Sequence, residues 1–337
     1  MSKADELRKC IKEMRKAKTS DFHIQGALEE QGWNHKLVDR VITDMQKKEK
    51  LYSYGTKAVF LIIILLIGFF VYKRATDYSH EFIPEFGGIS GYCVGEKVVD
   101  LKYNLNGNSR NLSFVAYKEL SNYYKHKSRK VLYFGSPPTS EEIIRRTIDN
   151  KWQIEALKPL VSAIQNLPVS ESDQARVAVS LAQNIPYDKD ATQEGDARYM
   201  YEVLYENVGV CSEKAKLMVH LLRELGYGTA ILRFSREKHE AVGIACDAKY
   251  DYKDSGYCFI EPTRPSIITD SSGTYRGVGQ LSSNPEVIVI SVGKSLNVSK
   301  EYADAEEFSK IVSKGHNLQK NDQDRLKVIA DRYGIKV

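Results

Sequence analysis

A helix that carries a cysteine in its first turn constrains this chain more than any other stretch. Within residues 209–228, apolar side chains recur at helical spacing, at Ala215, Met218, Val219, Leu222 and Leu225. Ser212 and Glu213 suit a helix N-terminus, and Gly226 suits a stop. The pattern therefore predicts one amphipathic helix with Cys211 at its start.

The position of Cys211 favours a reactive thiol. At a helix N-terminus, the helix dipole and the unpaired backbone N–H groups stabilise the thiolate, which is the nucleophilic form of cysteine. Gly209, just before it, would let a substrate backbone approach closely. His239 opens an alternating segment that predicts a strand, and Glu261 ends the strand predicted at residues 257–261. The order Cys, His, acid suits a nucleophile, its base and the group that orients the base.

These motifs resemble the transglutaminase-like cysteine superfamily. The resemblance rests on Gly-Val-Cys-Ser-Glu at residues 209–213, the strand that begins at His239, and Phe-Ile-Glu-Pro-Thr at residues 259–263. The stretches 183–187 and 201–206 are similar to that family's lead-in to its nucleophile.

The likeness covers about residues 172–270. Its extension upstream to about Gly135 is similar to archaeal membrane-anchored transglutaminase-like proteins. It implies an α+β, papain/transglutaminase-like domain in which the helix bearing the cysteine packs on an antiparallel sheet. It also implies Cys211 as nucleophile, His239 as general base and acid, and Glu261 as orienting acid, with no cofactor. The family usually has Asp at this last place, and Glu is one methylene longer.

Other residues compete for the roles of base and acid. His220 lies nine residues after Cys211, half a turn round the helix at 3.6 residues per turn, so it cannot be the base. His316, in a polar loop, is the second choice as base. If the orienting carboxylate lies elsewhere, Asp270 and Asp247 are the next residues to consider.

An acyl-transfer site also needs hydrogen-bond donors for the developing oxyanion. The backbone N–H of Cys211 is the default, and the side chain of Gln183 is a candidate oxyanion donor. The acidic loop that begins at Asp188 has Tyr199 where a calcium loop of the EF-hand type needs a bidentate Glu. The five cysteines include no Cys-x-x-Cys pair. The sequence therefore predicts no bound metal.

Cys246 and Cys258 are predicted to form a disulfide in an oxidising compartment. Their strands are joined by a turn-like segment, and alternation places both thiols on the sheet face opposite His239 and Glu261. Register is the difficulty, because pairing His239 directly with Glu261 would set Cys246 opposite Asp254. A bulge or a stagger is needed to bring the two thiols together.

Residues 1–50 are predicted to form a three-helix module, with Ser20 and Asn34 as N-caps. The pattern resembles small ubiquitin-associated-type folds, which would give the module a cytoplasmic protein partner. The plain alternative is a spacer whose Lys-rich face is solvated.

An uncharged apolar run follows the module. It covers 15 residues, 58–72, and only Lys57 interrupts its extension back to residue 51. A bilayer core needs about 20 residues, so the sequence predicts one transmembrane helix at residues 51–74. More basic residues precede this segment than follow it. The positive-inside rule then places the residues before this segment in the cytoplasm and the residues after it outside the cell.

The remainder is predicted to comprise a tether at residues 75–96, an N-terminal part at 97–170, a catalytic core at 171–300 and two C-terminal helices within 301–337. The N-terminal part should open with a hairpin, followed by a third short strand at residues 131–134. The net charge of +5 is concentrated in the first 57 residues, so no nucleic-acid surface is expected.

Taken together, these features predict a membrane-anchored cysteine acyl-transfer enzyme, a peptidase or amidase that acts on extracellular protein or peptide amides. Water as the acyl acceptor gives hydrolysis, while an amine acceptor gives a cross-linking transglutaminase. A third possibility, from another class, is a non-catalytic cell-surface domain that binds peptides or proteins in the same cleft.

Overall fold

The computed structural model describes residues 3–79, 91–131, 133–191, 197–273, 279–315 and 318–337 of the chain. The chain divides into two compact units, residues 1–83 and residues 84–337. Each of the two units has a hydrophobic core of its own.

Three helices form the first unit: α1 (Lys3–Lys16), α2 (Asp21–Glu30) and α3 (His35–Ser79). The side chain of Ser20 caps α2 by accepting a hydrogen bond from the backbone N–H of His23. The apolar faces of the three helices meet in a small core made of Leu7, Ile11, Ile24, Leu28, Val38, Val41, Ile42 and Met45. The three predicted helices are present, but the third continues well beyond residue 50.

The prediction of a transmembrane helix at residues 51–74 is wrong for the part of the chain that the structure describes. None of its described helices is long and apolar enough to cross a bilayer, which takes about 20 consecutive apolar residues. Between residue 53 and the end of α3, the structure describes the side chains of residues 62–69 only. The membrane anchor, the orientation and the extracellular placement that depended on this span are withdrawn with it.

The second unit begins with a β-hairpin. Strands β1 (Glu96–Leu105) and β2 (Asn108–Tyr117) pair antiparallel around the turn Asn106-Gly107, whose φ angles of 53° and 80° suit these two residue types. The third short strand predicted at residues 131–134 is wrong over its described residues, since 131, 133 and 134 lie outside any strand.

Among the described residues between β2 and the main sheet, the chain forms six helices. They are α4 (Lys118–His126), α5 (Ser140–Ile148), α6 (Lys151–Gln165), α7 (Glu171–Asn184), α8 (Met200–Glu206) and α9 (Cys211–Glu224). The last of them is the cysteine-bearing helix that the sequence predicts. It ends just before Gly226, whose φ of 85° is a left-handed value that favours glycine.

Four antiparallel strands form the sheet on which α9 packs. In spatial order they are β5 (Tyr257–Ile260), β4 (His239–Ala245), β3 (Thr229–Phe234) and β6 (Glu286–Ser291). One face joins α9 in the main core through Ile231, Val242, Ile244 and Ile260. The other face covers a second cluster of Leu232, Phe234, Ala241, Phe259 and Leu281. The predicted α+β class with antiparallel strands is confirmed.

Two helices close the chain, α10 (Ser299–Val312) and α11 (Lys320–Tyr333). Arg332 and Tyr333 of α11 both donate hydrogen bonds to the carboxylate of Asp304 on α10. Arg176 of α7 donates to Glu301 of α10, so the C-terminal pair of helices is fixed to the helix that leads towards the candidate site.

Candidate functional site

Cys211 lies at the N-terminus of α9, as the sequence predicts. The helix begins at this residue, and the carboxylate of Glu213 accepts a hydrogen bond of 2.9 Å from the backbone N–H of Val210 just before it. Cys211 is a partly exposed residue and lies outside the disulfide of this unit. A cysteine with a free thiol group therefore lies at the positive end of a helix of 14 residues.

Side chains of neighbouring residues lie close to Gly209. A Cβ atom at this position would lie 3.2 Å from the side chains of Lys214 and Val203 and 3.3 Å from that of Glu213. The space beside Gly209 is thus occupied by the protein itself rather than kept for a substrate backbone. The glycine allows the first turn of α9 to close against α8.

His239 and Glu261 form a buried hydrogen-bonded pair. Nε2 of His239, at the start of β4, lies 2.9 Å from Oε2 of Glu261, directly after β5. His239 is 3% exposed and Glu261 is fully buried. The other carboxylate oxygen of Glu261 accepts hydrogen bonds from the backbone N–H (2.9 Å) and the hydroxyl of Thr263. Both oxygens of this buried carboxylate therefore have partners, and the extra methylene of Glu does not prevent the contact with the imidazole.

The side chain of Cys211 also interacts with His239 and contributes to the shift of the His239 pKa. Because Nε2 faces Glu261, the ring nitrogen that remains for the sulfur is Nδ1. Burial disfavours the charged imidazole, but the hydrogen bonds and negative charges of Cys211 and Glu261 outweigh burial and raise the pKa of His239 to about 10. The arrangement therefore favours the protonated, imidazolium form of His239.

The register of β4 and β5 explains how two separate pairs form across the same two strands. Val242 pairs with Ile260 and Ile244 pairs with Cys258. Continuing this register, His239 lies two residues from the position opposite Glu261, and Cys246 lies two residues beyond the partner of Cys258. Residues offset by two are diagonal neighbours on one face of a sheet.

The structure places Cys246 and Cys258 in a disulfide, with an Sγ–Sγ distance of 2.11 Å and a Cα–Cα distance of 5.9 Å. The ladder between β4 and β5 contains no bulge. The register difficulty is resolved by two offsets of two residues in opposite directions. His239 lies two residues before the position opposite Glu261, and Cys246 lies two residues after the position opposite Cys258. Both cysteines lie on the sheet face opposite that of His239 and Glu261, as the alternation of side chains along the strands predicts.

Gln183 is engaged elsewhere than the predicted oxyanion position. Its side-chain Nε2 donates to the backbone carbonyl of Glu261 at 2.9 Å and to the hydroxyl of Ser266 at 3.1 Å. The residue is 4% exposed. Both hydrogens of the amide are therefore used in hydrogen bonds to the segment that follows β5.

The described competing residues make contacts of their own. His220 is fully buried within α9, where burial first and the charge of Arg223 second lower its pKa to about 3. Asp247 accepts a hydrogen bond from the backbone N–H of Lys249 in a short turn. Asp270 accepts hydrogen bonds from Ser272. His316 lies outside the described residues.

Sequence reasoning misses Lys214, which is fully buried one turn after Cys211. A signal was present, because Lys214 precedes Met218 by four residues and Leu222 by eight and so lies on the apolar face of α9. Charged residues are almost never fully buried unless they are paired.

Arg198 is a second residue that the sequence pattern does not reveal. Its guanidinium bonds to Asp188 at 2.6 Å, to Glu206 at 2.7 Å and to Glu213 at 3.2 Å. Burial opposes the charge of Arg198, but these three carboxylates outweigh burial and raise its pKa. The cluster ties together the segment after α7, the end of α8 and the first turn of α9. Its partners are far apart in sequence, so no local pattern predicts it.

A comparison with protein families agrees with this geometry. The family model described as the core of the Transglutaminase-like superfamily matches residues 160–248. Members of that superfamily are generally cysteine peptidases or acyltransferases. The matched range contains Cys211 and His239 but ends before Glu261. None of the curated proteins compared with the chain matches it significantly, and the archaeal resemblance has no support from these comparisons.

Proposed function

We propose that the second unit is a cysteine acyl-transfer enzyme that hydrolyses amide bonds in proteins or peptides. The observation that carries the proposal is the position of His239, which is hydrogen-bonded to Glu261 and interacts with the side chain of Cys211. The match of residues 160–248 to a superfamily of cysteine-dependent enzymes supports the same reaction class.

Each of the three side chains has one task in the proposed reaction. The thiolate of Cys211 attacks the amide carbonyl carbon, and the backbone N–H groups at the start of α9 stabilise the negative charge on the oxygen. The imidazolium of His239 gives its proton to the leaving nitrogen as the C–N bond breaks, which leaves a thioester on the sulfur. Glu261 holds the ring and stabilises its charged form.

Water completes the cycle. His239, now neutral, takes a proton from the water that attacks the thioester, the C–S bond breaks, and the acid product leaves with regeneration of the thiolate–imidazolium pair. An amine in place of water would form a new amide by the same steps. We propose hydrolysis as the main reaction, since the resemblance to microbial members of the superfamily implies protease-like activity.

The test is cleavage of a panel of fluorogenic peptide amides by the full chain, with Cys211→Ala as the control. The wild-type protein should release amine from part of the panel, and the variant should give none above background. Addition of a primary amine separates the alternatives, because a cross-linking enzyme would yield the new amide in place of the acid. If no substrate is cleaved and no acyl group is transferred, the site is a binding cleft and the proposal is wrong.

A further inference from the structure

Lys214 makes a set of contacts that the proposed reaction does not use. Its ammonium nitrogen donates to three backbone carbonyls, those of Gln183 at 3.2 Å, Ile185 at 2.5 Å and Thr263 at 2.9 Å. An ammonium has three N–H groups and no acceptor. The three donors of this fully buried group are therefore matched by three acceptors.

The three carbonyls belong to the segments that hold the acid of the candidate site. Gln183 and Ile185 lie at the C-terminal end of α7, and the side chain of Gln183 donates to the backbone carbonyl of Glu261. Thr263 donates from its backbone and hydroxyl to the carboxylate of Glu261. Lys214 thus connects α9 to both groups of atoms that fix Glu261, without touching that carboxylate directly.

We propose that Lys214 is a positioning residue, which holds the Glu261 carboxylate against His239 by tying α9 to the end of α7 and to the segment after β5. The inference rests on the proposed function, since it assigns Lys214 to the site of that reaction. The ammonium of Lys214 bonds to the carbonyls of Gln183, Ile185 and Thr263, so we expect its effect on the thiol of Cys211 to pass through Glu261 and His239.

The charge of Lys214 fits the same role. Burial lowers the pKa of its ammonium to about 7, and the negative charge of Glu261 acts against that decrease. A buried carboxylate is costly unless charges of opposite sign lie near it. The positive charge of protonated Lys214 therefore acts on Glu261 together with that of the His239 imidazolium, which is hydrogen-bonded to the same carboxylate.

A structural lysine and a positioning lysine differ in how their loss combines with the loss of Glu261. If Lys214 only supports the fold, its replacement and that of Glu261 should weaken the site independently, and their effects should multiply. If Lys214 acts through Glu261, its replacement should have little effect once Glu261 has been changed. A double-mutant cycle distinguishes the two roles.

The readout is the rate at which iodoacetamide alkylates Cys211 at pH 6.0. An ordinary cysteine, with a pKa of about 8.5, reacts slowly at this pH, whereas a thiolate held by an imidazolium reacts quickly. The full chain is used with Cys10→Ser and Cys93→Ser, which leaves Cys211 as the one cysteine outside the disulfide. The variants are Lys214→Met, Glu261→Gln and their combination.

A neighbouring lysine provides the matched control. Lys216→Met removes a lysine of the same helix that makes none of these carbonyl contacts. If Lys214→Met does not give a cooperative thermal transition, Lys214→Arg takes its place in the cycle, because it keeps a buried cation but cannot direct three donors from one nitrogen.

We expect Lys214→Met to slow alkylation at least tenfold and Lys216→Met to change the rate by less than twofold. The combined variant should react within twofold of Glu261→Gln alone. The inference is overturned if Lys214→Met reacts at the rate of Lys216→Met, if the losses multiply in the combined variant, or if wild-type Cys211 reacts no faster than an ordinary thiol. Because alkylation requires no substrate, a protein that shows these rates but cleaves no amide would refute the proposed function and not the role of Lys214.

Discussion

At the scale of single residues, the candidate site depends on how one buried carboxylate is held. Glu261 has no exposed surface, yet its two oxygens bond to His239 and to Thr263. The sequence alone raises a doubt about this residue, because the family usually has the shorter Asp. The geometry answers that doubt for the contact itself, since the longer side chain starts one residue after β5 and reaches the ring at 2.9 Å.

Two substitutions of Glu261 should distinguish the effect of its negative charge from the effect of its side-chain length. Glu261→Gln keeps the length but cannot stabilise the imidazolium, so turnover should fall by a large factor, on the order of 10⁴ as for the acid of serine-protease triads. Glu261→Asp keeps the charge but withdraws it by about one bond length, so it should retain much more activity than Gln and less than the wild type. Steady-state rates on a cleaved peptide amide measure both. Equal, near wild-type rates for Gln and Asp would mean that another group orients His239.

At the scale of secondary-structure elements, the strand pair β4–β5 carries most of the geometry. The alternation of side chains in the sequence predicts both strands. It also predicts which sheet face carries His239 and Glu261 and which carries Cys246 and Cys258. The exact register does not, because turns of different length fit the segment between the strands equally well. One register would pair His239 directly with Glu261, and another would pair Cys246 directly with Cys258. The observed register lies midway between the two, so both pairs are diagonal.

Removal of the disulfide should destabilise this strand pair. The bond between Cys246 and Cys258 closes a loop with a sequence separation of 12, for which the loop-entropy relation gives about 3 kcal/mol. Cys246→Ala combined with Cys258→Ala should therefore lower the free energy of unfolding in urea by roughly that amount. Cys93→Ser, a change at an exposed cysteine outside the disulfide, is the control. A double variant as stable as the control would contradict the prediction.

At the scale of the whole molecule, local patterns predict the elements and distant contacts determine the site. The cysteine helix, the strands that begin at His239 and at Tyr257, and the order of Cys211, His239 and Glu261 along the chain can be read from the sequence. The partners of Arg198 and Lys214 cannot, because they come from segments up to 49 residues away. The transmembrane prediction fails because it relied on the apolarity of one stretch alone, and no described helix meets the length and apolarity that a span requires.

The pH dependence of stability provides a test of the packed core. Folding lowers the pKa of His220 from 6.5 to about 3, so the unfolded chain binds more protons below pH 6.5 and stability falls as the pH falls. At roughly 1.36 kcal/mol per pH unit, the contribution of His220 to the free energy of unfolding should decrease by about 2 kcal/mol between pH 7 and pH 5. His239, whose pKa is raised, keeps its full contribution below pH 6.5 and loses it only at higher pH.

His220→Leu removes that titration while keeping the site apolar. Urea unfolding of the wild type and the variant at several values between pH 5 and pH 7 measures the difference. The variant should show a clearly flatter dependence. The same slope in both proteins would mean that His220 is not the group that titrates.

The most direct test of the Cys211–His239–Glu261 site is to trap its acyl intermediate. The full chain is mixed with a cleavable peptide amide, quenched in acid within the first turnover, and digested for mass spectrometry. The proposed chemistry predicts that the peptide containing Cys211 carries the acyl group through a thioester, which disappears on treatment with hydroxylamine. Cys211→Ala should carry none, and His239→Ala should carry far less. Amide cleavage that persists in Cys211→Ala, with no acyl group on wild-type Cys211, would contradict the assignment.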